Sequence, residues 1–155
     1  GQMLKTDDLL ICTGDAPNIQ PATLRGSVAE CHQTETHLGV IGMEHPTPTG
    51  YGRLVFGDQG KLSSIVEEKD ANERQKAIQL CNSGVVFGRA NELFSLLGEV
   101  TSKNTQNEYY LTDCFELASK RGWPINVYQT GRWQEFEGVN NPQQLARLEQ
   151  LILQQ

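Results

Sequence analysis

Residues 9–15 read LLICTGD, and the prediction of the fold starts from this stretch. A short run of apolar residues is typical of a strand buried on both faces, and Thr-Gly-Asp after it is typical of the loop at the strand's carboxyl end. The pattern predicts a fully buried strand from Leu9 to Cys12, with Asp15 at its carboxyl edge. A carboxylate there can hold Mg²⁺, or it can cap its own turn or the next helix, and the stretch alone leaves both interpretations open.

Strands and helices alternate on the carboxyl side of this stretch. Residues 57–60, Gly-Asp-Gln-Gly, have the composition of a tight hairpin turn between two strands. Prolines mark the starts of two helices, Thr112 is expected to cap another, and Gly122 with Pro124 marks the end of that helix. The alternation together with the hairpin predicts an α/β domain with a mixed sheet. The predicted strands are 38–43, 54–56, 62–66, 84–87 and 125–128; the predicted helices begin at Pro21, Asn91, Thr112 and Pro142, the first ending near Cys31, the second at Val100 and the third at Lys120.

Helical spacing also predicts which side chains of these helices face the core. In each helix, apolar residues three or four positions apart form one stripe. The predicted inward residues are Leu24 and Val28 in the first helix, Leu93, Phe94, Leu96 and Leu97 in the second, Phe115, Leu117 and Ala118 in the third, and Leu145, Leu148 and Ile152 in the last.

Composition excludes several classes of function. The 155 residues carry 13 Lys+Arg and 19 Asp+Glu, a formal net charge of −6, with no basic cluster, which argues against a nucleic-acid backbone binder. No apolar run approaches the ~20 residues of a membrane span, and residues 1–20 show no signal-peptide pattern, so we expect a cytoplasmic protein without a membrane partner.

The four cysteines show no Cys-x-x-Cys pair and are expected to be reduced and mostly buried. The three histidines are expected on the surface or in loops.

Polar residues with a possible role in binding recur where strands begin or end. Gly50 and Gly52 flank an aromatic residue before a strand, where they can expose backbone groups to a ligand or form an ordinary turn. Glu67 follows a strand directly and could accept the protons of sugar hydroxyls. Asn82 is expected just before the strand at 84–87. Asn141 is expected to cap the last helix, which leaves Asn140 free to offer a neutral oxygen opposite Asp15.

Six segments, in this order and spacing, resemble the sugar-nucleotide pyrophosphorylases. Within that family they are most similar to the uridyltransferase domain of the bifunctional N-acetylglucosamine-1-phosphate uridyltransferase/glucosamine-1-phosphate acetyltransferases. The segments are residues 10–17 (LICTGDAP), 48–53 (PTGYGR), 65–71 (IVEEKDA), 82–84 (NSG), 108–113 (EYYLTD) and 137–141 (EGVNN).

The resemblance implies a Rossmann-like nucleotide-diphospho-sugar transferase fold with a mixed sheet. It implies a reaction of UTP with N-acetylglucosamine 1-phosphate that forms pyrophosphate and UDP-N-acetylglucosamine, a step of cell-wall precursor biosynthesis, with Mg²⁺ as cofactor. Carried over residue by residue, it assigns Asp15 and Asn140 to Mg²⁺ and catalysis. For the sugar nucleotide it implies contacts from Gly52, Glu67 and Asn82, with Thr13 and Gly14 beside it and Tyr110 and Thr112 shaping the acetamido pocket.

The segments that this family places before the first motif, above all a Gly-rich loop for the UTP phosphates, have no counterpart in residues 1–155. The resemblance therefore implies a partial nucleotidyltransferase domain over 1–155, incomplete at its N-terminus, ending in an arm-like helix and inactive alone. One alternative is a non-catalytic truncated module, for which Met3 is a candidate native start, that binds a sugar nucleotide or forms a homo-oligomer through an exposed sheet edge. A pyrophosphorylase for another sugar 1-phosphate is the second alternative.

Overall fold

The computed structural model describes residues 7–154, so Met3 lies outside the described residues. Strands and helices alternate as the sequence predicts. Short 3-10 turns interrupt the connections at Asp58–Gly60, Glu68–Asp70 and Trp133–Phe136. The regular elements are β1 (Asp8–Ile11), α1 (Pro21–Gln33), β2 (Leu38–Glu44), β3 (Arg53–Phe56), β4 (Leu62–Val66), α2 (Glu73–Lys76), β5 (Leu80–Arg89), α3 (Ala90–Leu97), α4 (Asp113–Lys120), β6 (Ile125–Thr130) and α5 (Pro142–Leu153).

The six strands form one mixed sheet in the order β4-β3-β5-β2-β6, with β1 paired to β5 as well. Among the strands of residues 7–154, only the β2–β6 pair is parallel. β2 pairs along almost all of one edge of β5, so β1 and β3 must share the other edge. Both run antiparallel to β5, which places the carboxyl end of β1 opposite the amino end of β3. We call this interval the strand gap; it lies between Ile11 and Arg53, beside the middle of β5.

A bulge in β5 faces the strand gap. Val40 pairs with Val86 and Gly42 with Asn82, so a two-residue step in β2 opposes four residues in β5. Gly84, inside the bulge, has φ +86°, a conformation that side-chain-bearing residues rarely adopt. The expectation that Asn82 precedes the strand is therefore wrong: it lies inside β5, where the bulge redirects its neighbours.

Helices cover both faces of the sheet. On one face, α3 and α4 close an apolar layer that contains Phe115, Leu96 and Cys114, each 0% exposed. On the other face, α1 and the Trp133–Phe136 turn cover a smaller cluster around Met43. The apolar layer beneath α3 and α4 is the larger of the two clusters, and it includes residues of β2, β3, β4 and β5.

Several burial predictions need correction. The strand at the opening stretch is half-buried rather than fully buried, because it pairs with β5 alone among the described strands. Leu24 and Val28 are half-buried, whereas the buried face of α1 is Thr23, Ser27 and Cys31. Small side chains suit that face because helix and sheet approach closely: a Cβ on Gly39 would lie 2.5 Å from Cys31 Sγ.

The apolar stripes of α3 and α5 are narrower than the sequence predicts. Leu93 and Leu96 are buried, but Phe94 is 62% and Leu97 36% exposed. In α5, Leu148 is buried at 5% exposure. The two flanking residues of that predicted stripe are exposed, Leu145 at 47% and Ile152 at 48%.

Candidate functional site

A cavity of about 320 Å³ opens at the strand gap. It collects residues from the ends of β1 and β4, the start of β3, the bulge of β5 and the segment before α5. Fourteen residues line it: Thr13, Asp15, Gly50, Tyr51, Gly52, Glu67, Asn82, Ser83, Gly84, Phe136, Glu137, Gly138, Asn140 and Gln144.

The cavity thus brings together six of the nine residues that the resemblance assigns to the site. They are Thr13, Asp15, Gly52, Glu67, Asn82 and Asn140. Gly14 and Tyr110 are not among the lining residues, and Thr112 reaches the cavity only through its contact with Glu67. Phe136 and Gln144 carried no sequence signal of their own, because nothing local marks a side chain that tertiary contacts bring to the gap.

Asp15 and the segment before α5 lie against each other. The backbone N–H of Val139 donates to the carbonyl oxygen of Asp15 at 2.8 Å. A Cβ on Gly138 would lie 3.0 Å from Asp15 Oδ2 and 3.5 Å from Asn140 Nδ2, so both side chains border the same residue. The two predicted Mg²⁺ ligands therefore converge although they are far apart in sequence.

The start of α5 leaves the Asn140 side chain available. Asn141 caps the helix, its Oδ1 accepting from the backbone N–H of Gln144 at 2.8 Å, as the sequence predicts. Gln144 Oε1 accepts from the backbone N–H of Asn140 at 2.7 Å. The backbone of Asn140 is thus held from the helix, while its amide group stands at the cavity.

The carboxylate of Glu67 is held by Thr112, a residue expected to cap α4. Thr112 Oγ1 donates to Glu67 Oε1 at 3.0 Å and makes no side-chain cap bond to α4, so the predicted capping role of Thr112 is wrong. Burial raises the pKa of the Glu67 carboxyl, and the Thr112 hydrogen bond offsets part of that rise. Gly52 packs on this carboxylate: a Cβ there would lie 3.2 Å from Oε2.

The β5 bulge orients Asn82. Its Oδ1 accepts from the backbone N–H of Gly84 at 3.0 Å, which leaves the Nδ2 donors for a ligand. The backbone N–H of Asn82 donates to the carbonyl oxygen of Gly52 at 2.8 Å, tying the bulge to the start of β3.

Arg53, 1% exposed, fixes the start of β3. It forms an ion pair with Glu68 at 2.6 Å, and its Nε donates to the Ile78 carbonyl at 3.0 Å.

The electrostatic character of the cavity is acidic. Asp15, Glu67 and Glu137 line it, and no Lys or Arg is among the lining residues. Burial raises the pKa of the Tyr51 hydroxyl, and the carboxylate of Glu137 adds to the rise. Among residues 7–154 there is no cluster of three or more His, Cys, Asp or Glu side chains that could hold a metal. A cation here would take few protein ligands, as Mg²⁺ commonly does.

The histidines lie at the surface or in loops, as expected: His32 is exposed, His37 is in the connection before β2, and His45 follows β2. Each lies beside a carboxylate distant in sequence: His32 Nε2 is 3.3 Å from Asp8, His37 Nδ1 is 2.6 Å from Glu92, and His45 Nε2 is 3.5 Å from Glu137. His45 lies in a loop but is buried, at 3% exposure, so it is not a surface residue. No motif marked it.

Known proteins similar to this chain support the predicted resemblance. No protein-family model matches the sequence. The bifunctional protein GlmU of Idiomarina loihiensis is 39% identical over 149 residues, which make up 96% of this chain and 32% of that protein. GlmU of Cellvibrio japonicus is 40% identical over 147 residues, 95% of this chain and 32% of that protein.

The chain is a relative of one part of GlmU. It spans about a third of the length of these curated relatives. The resemblance to the uridyltransferase domain within the sugar-nucleotide pyrophosphorylases, stated from the six segments, is thereby confirmed.

Solved structures of low sequence identity share the fold. A glucose-1-phosphate thymidylyltransferase structure from Bacillus anthracis, in complex with sucrose, has a TM-score of 0.66 at 19% identity and covers 94% of this chain and 54% of that one. A UDP-glucose pyrophosphorylase complexed with UDP-glucose has a TM-score of 0.64 at 18% identity, covering 96% of this chain and 54% of that one. The predicted Rossmann-like fold is thereby confirmed. No helix in the described part of the chain has the length and apolarity to cross a membrane.

Proposed function

We propose that this chain is the sugar-nucleotide-binding portion of an N-acetylglucosamine-1-phosphate uridyltransferase and binds UDP-N-acetylglucosamine together with Mg²⁺. One observation carries the proposal: a single cavity at the strand gap collects six predicted site residues from five separate segments. The similarity to GlmU over nearly the whole chain supports the same assignment.

The donors around the cavity suit a sugar nucleotide. Glu67, oriented by Thr112, is an acceptor for sugar hydroxyl groups, and Asn82 offers amide donors to carbonyl or hydroxyl oxygens of the ligand. Gly52 brings backbone rather than side chain to the wall, so that a ring can approach closely. These groups fix where the sugar lies, which is the positioning part of catalysis.

Asp15 and Asn140 fit a Mg²⁺ ion. One carboxylate and one amide oxygen, with the remaining positions filled by water and phosphate, is a ligand set that this cation accepts. When bound, Mg²⁺ neutralises phosphate charge. The acidic lining without Lys or Arg favours a ligand that enters with a cation, since diphosphate alone would meet three carboxylates.

In the proposed reaction, a phosphate oxygen of N-acetylglucosamine 1-phosphate attacks the α-phosphorus of UTP, and the bond from that phosphorus to the leaving pyrophosphate breaks. A triphosphate needs more positive charge than the lining residues supply. We therefore propose that the 155-residue chain binds the product but does not catalyse its formation by itself. The same observation favours the alternative of a non-catalytic sugar-nucleotide-binding module.

Isothermal calorimetry with UDP-N-acetylglucosamine, UDP-glucose and GDP-mannose, each with and without Mg²⁺, tests the proposal. We expect UDP-N-acetylglucosamine to bind best and only with Mg²⁺, and Asp15→Asn to weaken this Mg²⁺-dependent binding. Asp58→Asn, on the exposed hairpin turn, is the matched control and should bind like the parent chain. A folded chain that binds none of the three nucleotides would refute the proposal, and preference for another would favour a different sugar 1-phosphate.

Two further measurements address the remaining alternatives. Pyrophosphate release from UTP and N-acetylglucosamine 1-phosphate is expected to stay at background, and sustained release would contradict the proposed inactivity. Light scattering at micromolar concentration tests a homo-oligomer formed through the open edge of β1. A monomer would exclude it at that concentration.

A further inference from the structure

His45 occupies an unusual place for a polar side chain. It follows β2 directly and is 3% exposed, enclosed by the rings of Tyr51 and Trp133, whose centroids lie 4.9 and 4.6 Å from its own. Its backbone N–H donates to the Gln79 carbonyl at 3.0 Å. A buried imidazole among aromatic rings is costly unless its nitrogens are paired, so its partners indicate what it does.

The contacts of His45 determine which nitrogen carries the proton. The backbone N–H of Thr47 donates to Nδ1 at 3.0 Å, so Nδ1 is an acceptor and the neutral ring is protonated at Nε2. Nε2 is buried and has no well-aligned hydrogen-bond partner among the described residues. The carboxylate oxygen Glu137 Oε1 lies 3.5 Å away, within reach of a small side-chain adjustment.

Glu137 stands between a buried donor and an exposed cation. Its Oε1 is 3.5 Å from His45 Nε2 and 3.8 Å from Arg147 Nη2, and the Arg147 side chain is 62% exposed. Glu137 lines the cavity and begins the segment 137–140, whose Val139 is bonded to the Asp15 backbone. The position of the Glu137 carboxylate therefore affects the position of the Asn140 side chain in the cavity.

We propose that His45 is a positioning residue: its Nε2–H holds the Glu137 carboxylate at the cavity wall, and through Glu137 it sets the 137–140 segment beside Asp15. Arg147 is too exposed to do this alone, because a solvated cation with a long side chain fixes a carboxylate poorly. The inference rests on the proposed function only for its ligand-binding consequence. The contact between His45 and Glu137 is present in the chain without ligand and does not depend on that function.

The test uses four variants of the whole chain: His45→Leu, His45→Gln, Glu137→Gln and the double variant His45→Leu/Glu137→Gln. We expect His45→Leu to weaken Mg²⁺-dependent binding of UDP-N-acetylglucosamine about tenfold, the loss typical of one hydrogen bond to a charged group. His45→Gln keeps a side-chain N–H and should recover most of that loss. In the Glu137→Gln background, where a neutral amide oxygen replaces the charged acceptor, His45→Leu should cost clearly less than in the parent chain, since both changes act on the same interaction.

The His37–Glu92 pair supplies the matched control. It has the same residue types at 2.6 Å but lies outside the residues that line the cavity. His37→Leu and Glu92→Gln should leave binding unchanged. Equal weakening of binding by His37→Leu and His45→Leu would refute the proposal, as would additive losses in the His45/Glu137 double variant, because a merely structural role produces additivity.

Nitrogen-15 NMR of the histidine rings, recorded without ligand, tests the contact independently. We expect His45 to be the Nε2–H tautomer and its Nε2 resonance to shift in Glu137→Gln. An Nδ1–H tautomer, or an Nε2 signal indifferent to Glu137→Gln, would overturn the proposal even if binding is normal. If the parent chain binds no sugar nucleotide, the proposed function fails, and these resonances still decide the role of His45.

Discussion

The apolar layer beneath α3 and α4 and the cavity at the strand gap both adjoin β5, yet they are assembled differently. Each of these two helices contributes a stripe of regularly spaced residues to the layer, whereas each of five segments contributes one to three polar side chains to the cavity. Stability should therefore depend on the layer and ligand binding on the gap. Substitutions in one region should leave the property of the other largely unchanged.

The largest expected effect is on stability, from Phe115→Ala in the layer. Phe115 is 0% exposed, and its removal leaves a cavity in a packed core, so we expect a loss of about 3–5 kcal/mol in the free energy of unfolding. Urea unfolding measures the loss. Phe94→Ala, at a residue 62% exposed, is the control and should change stability by less than about 0.5 kcal/mol. Similar losses in the two variants would contradict the assignment of the core.

Gly84→Ala should affect both regions, because the bulge joins them. Its φ of +86° and a Cβ 2.6 Å from Thr13 Cγ2 require the backbone or Thr13 to shift. We expect a loss of about 1–3 kcal/mol in stability, typical of a strained backbone, together with weaker sugar-nucleotide binding. Gly131→Ala, at a residue whose φ is not positive and where a Cβ would have no atom within 4 Å, should change neither property. If Gly84→Ala left sugar-nucleotide binding unchanged, the bulge would not contribute to the binding site.

Glu67 should make a smaller, pH-dependent contribution to stability. Burial raises its pKa, so the folded chain binds this proton more tightly than the unfolded chain. Its contribution to stability must then fall as pH rises from the ordinary value of 4.5 through the raised pKa. Glu67→Gln removes this dependence, so the stability difference between variant and parent should grow in the variant's favour across that window. Denaturation at a series of pH values measures it, and a pH-independent difference would contradict it.

The least perturbing comparison uses the thiols. Cys12 is exposed at the end of β1, whereas Cys31, Cys81 and Cys114 are buried. Burial raises the pKa of Cys81 and of Cys114 to about 11, so few thiolates form there at neutral pH. A chromogenic disulfide reagent should titrate one thiol in the folded chain and four after unfolding. Cys12→Ser should abolish the fast reaction, and more than one fast thiol would show that a buried region of the chain opens.

Local signals in the sequence predicted most of the fold. The hairpin turn, the Asn141 cap and the helix end at Gly122, whose φ is +72°, depend on residues within a few positions of each other, and all three are confirmed. The buried stripes were predicted too broadly, as Phe94 and Leu145 show. Periodicity identifies the side of a helix that faces the core, but the width of the buried stripe depends on how closely neighbouring elements approach.

The candidate site was predicted in its residue types and only partly in its contacts. The motifs singled out Asp15, Glu67 and Asn140, which the structure brings to one cavity. The motifs did not reveal that Thr112 donates to Glu67 or that His45 lies beside Glu137, because the two residues of each pair are distant in sequence. A threonine before a helix predicts a cap on local grounds, and only the approach of β4 gives its hydroxyl a different acceptor.

By itself the sequence determined the α/β class, the order of the elements and the residues around which a polar site could form, since turn, cap and strand signals act over a few residues. The tertiary structure alone decided that β1 and β3 share one edge of β5, that the strand gap between them faces a bulge, and that His45 is buried beside the cavity. These features depend on which strands pair and in what register. Register is set by contacts between segments that the chain order keeps far apart.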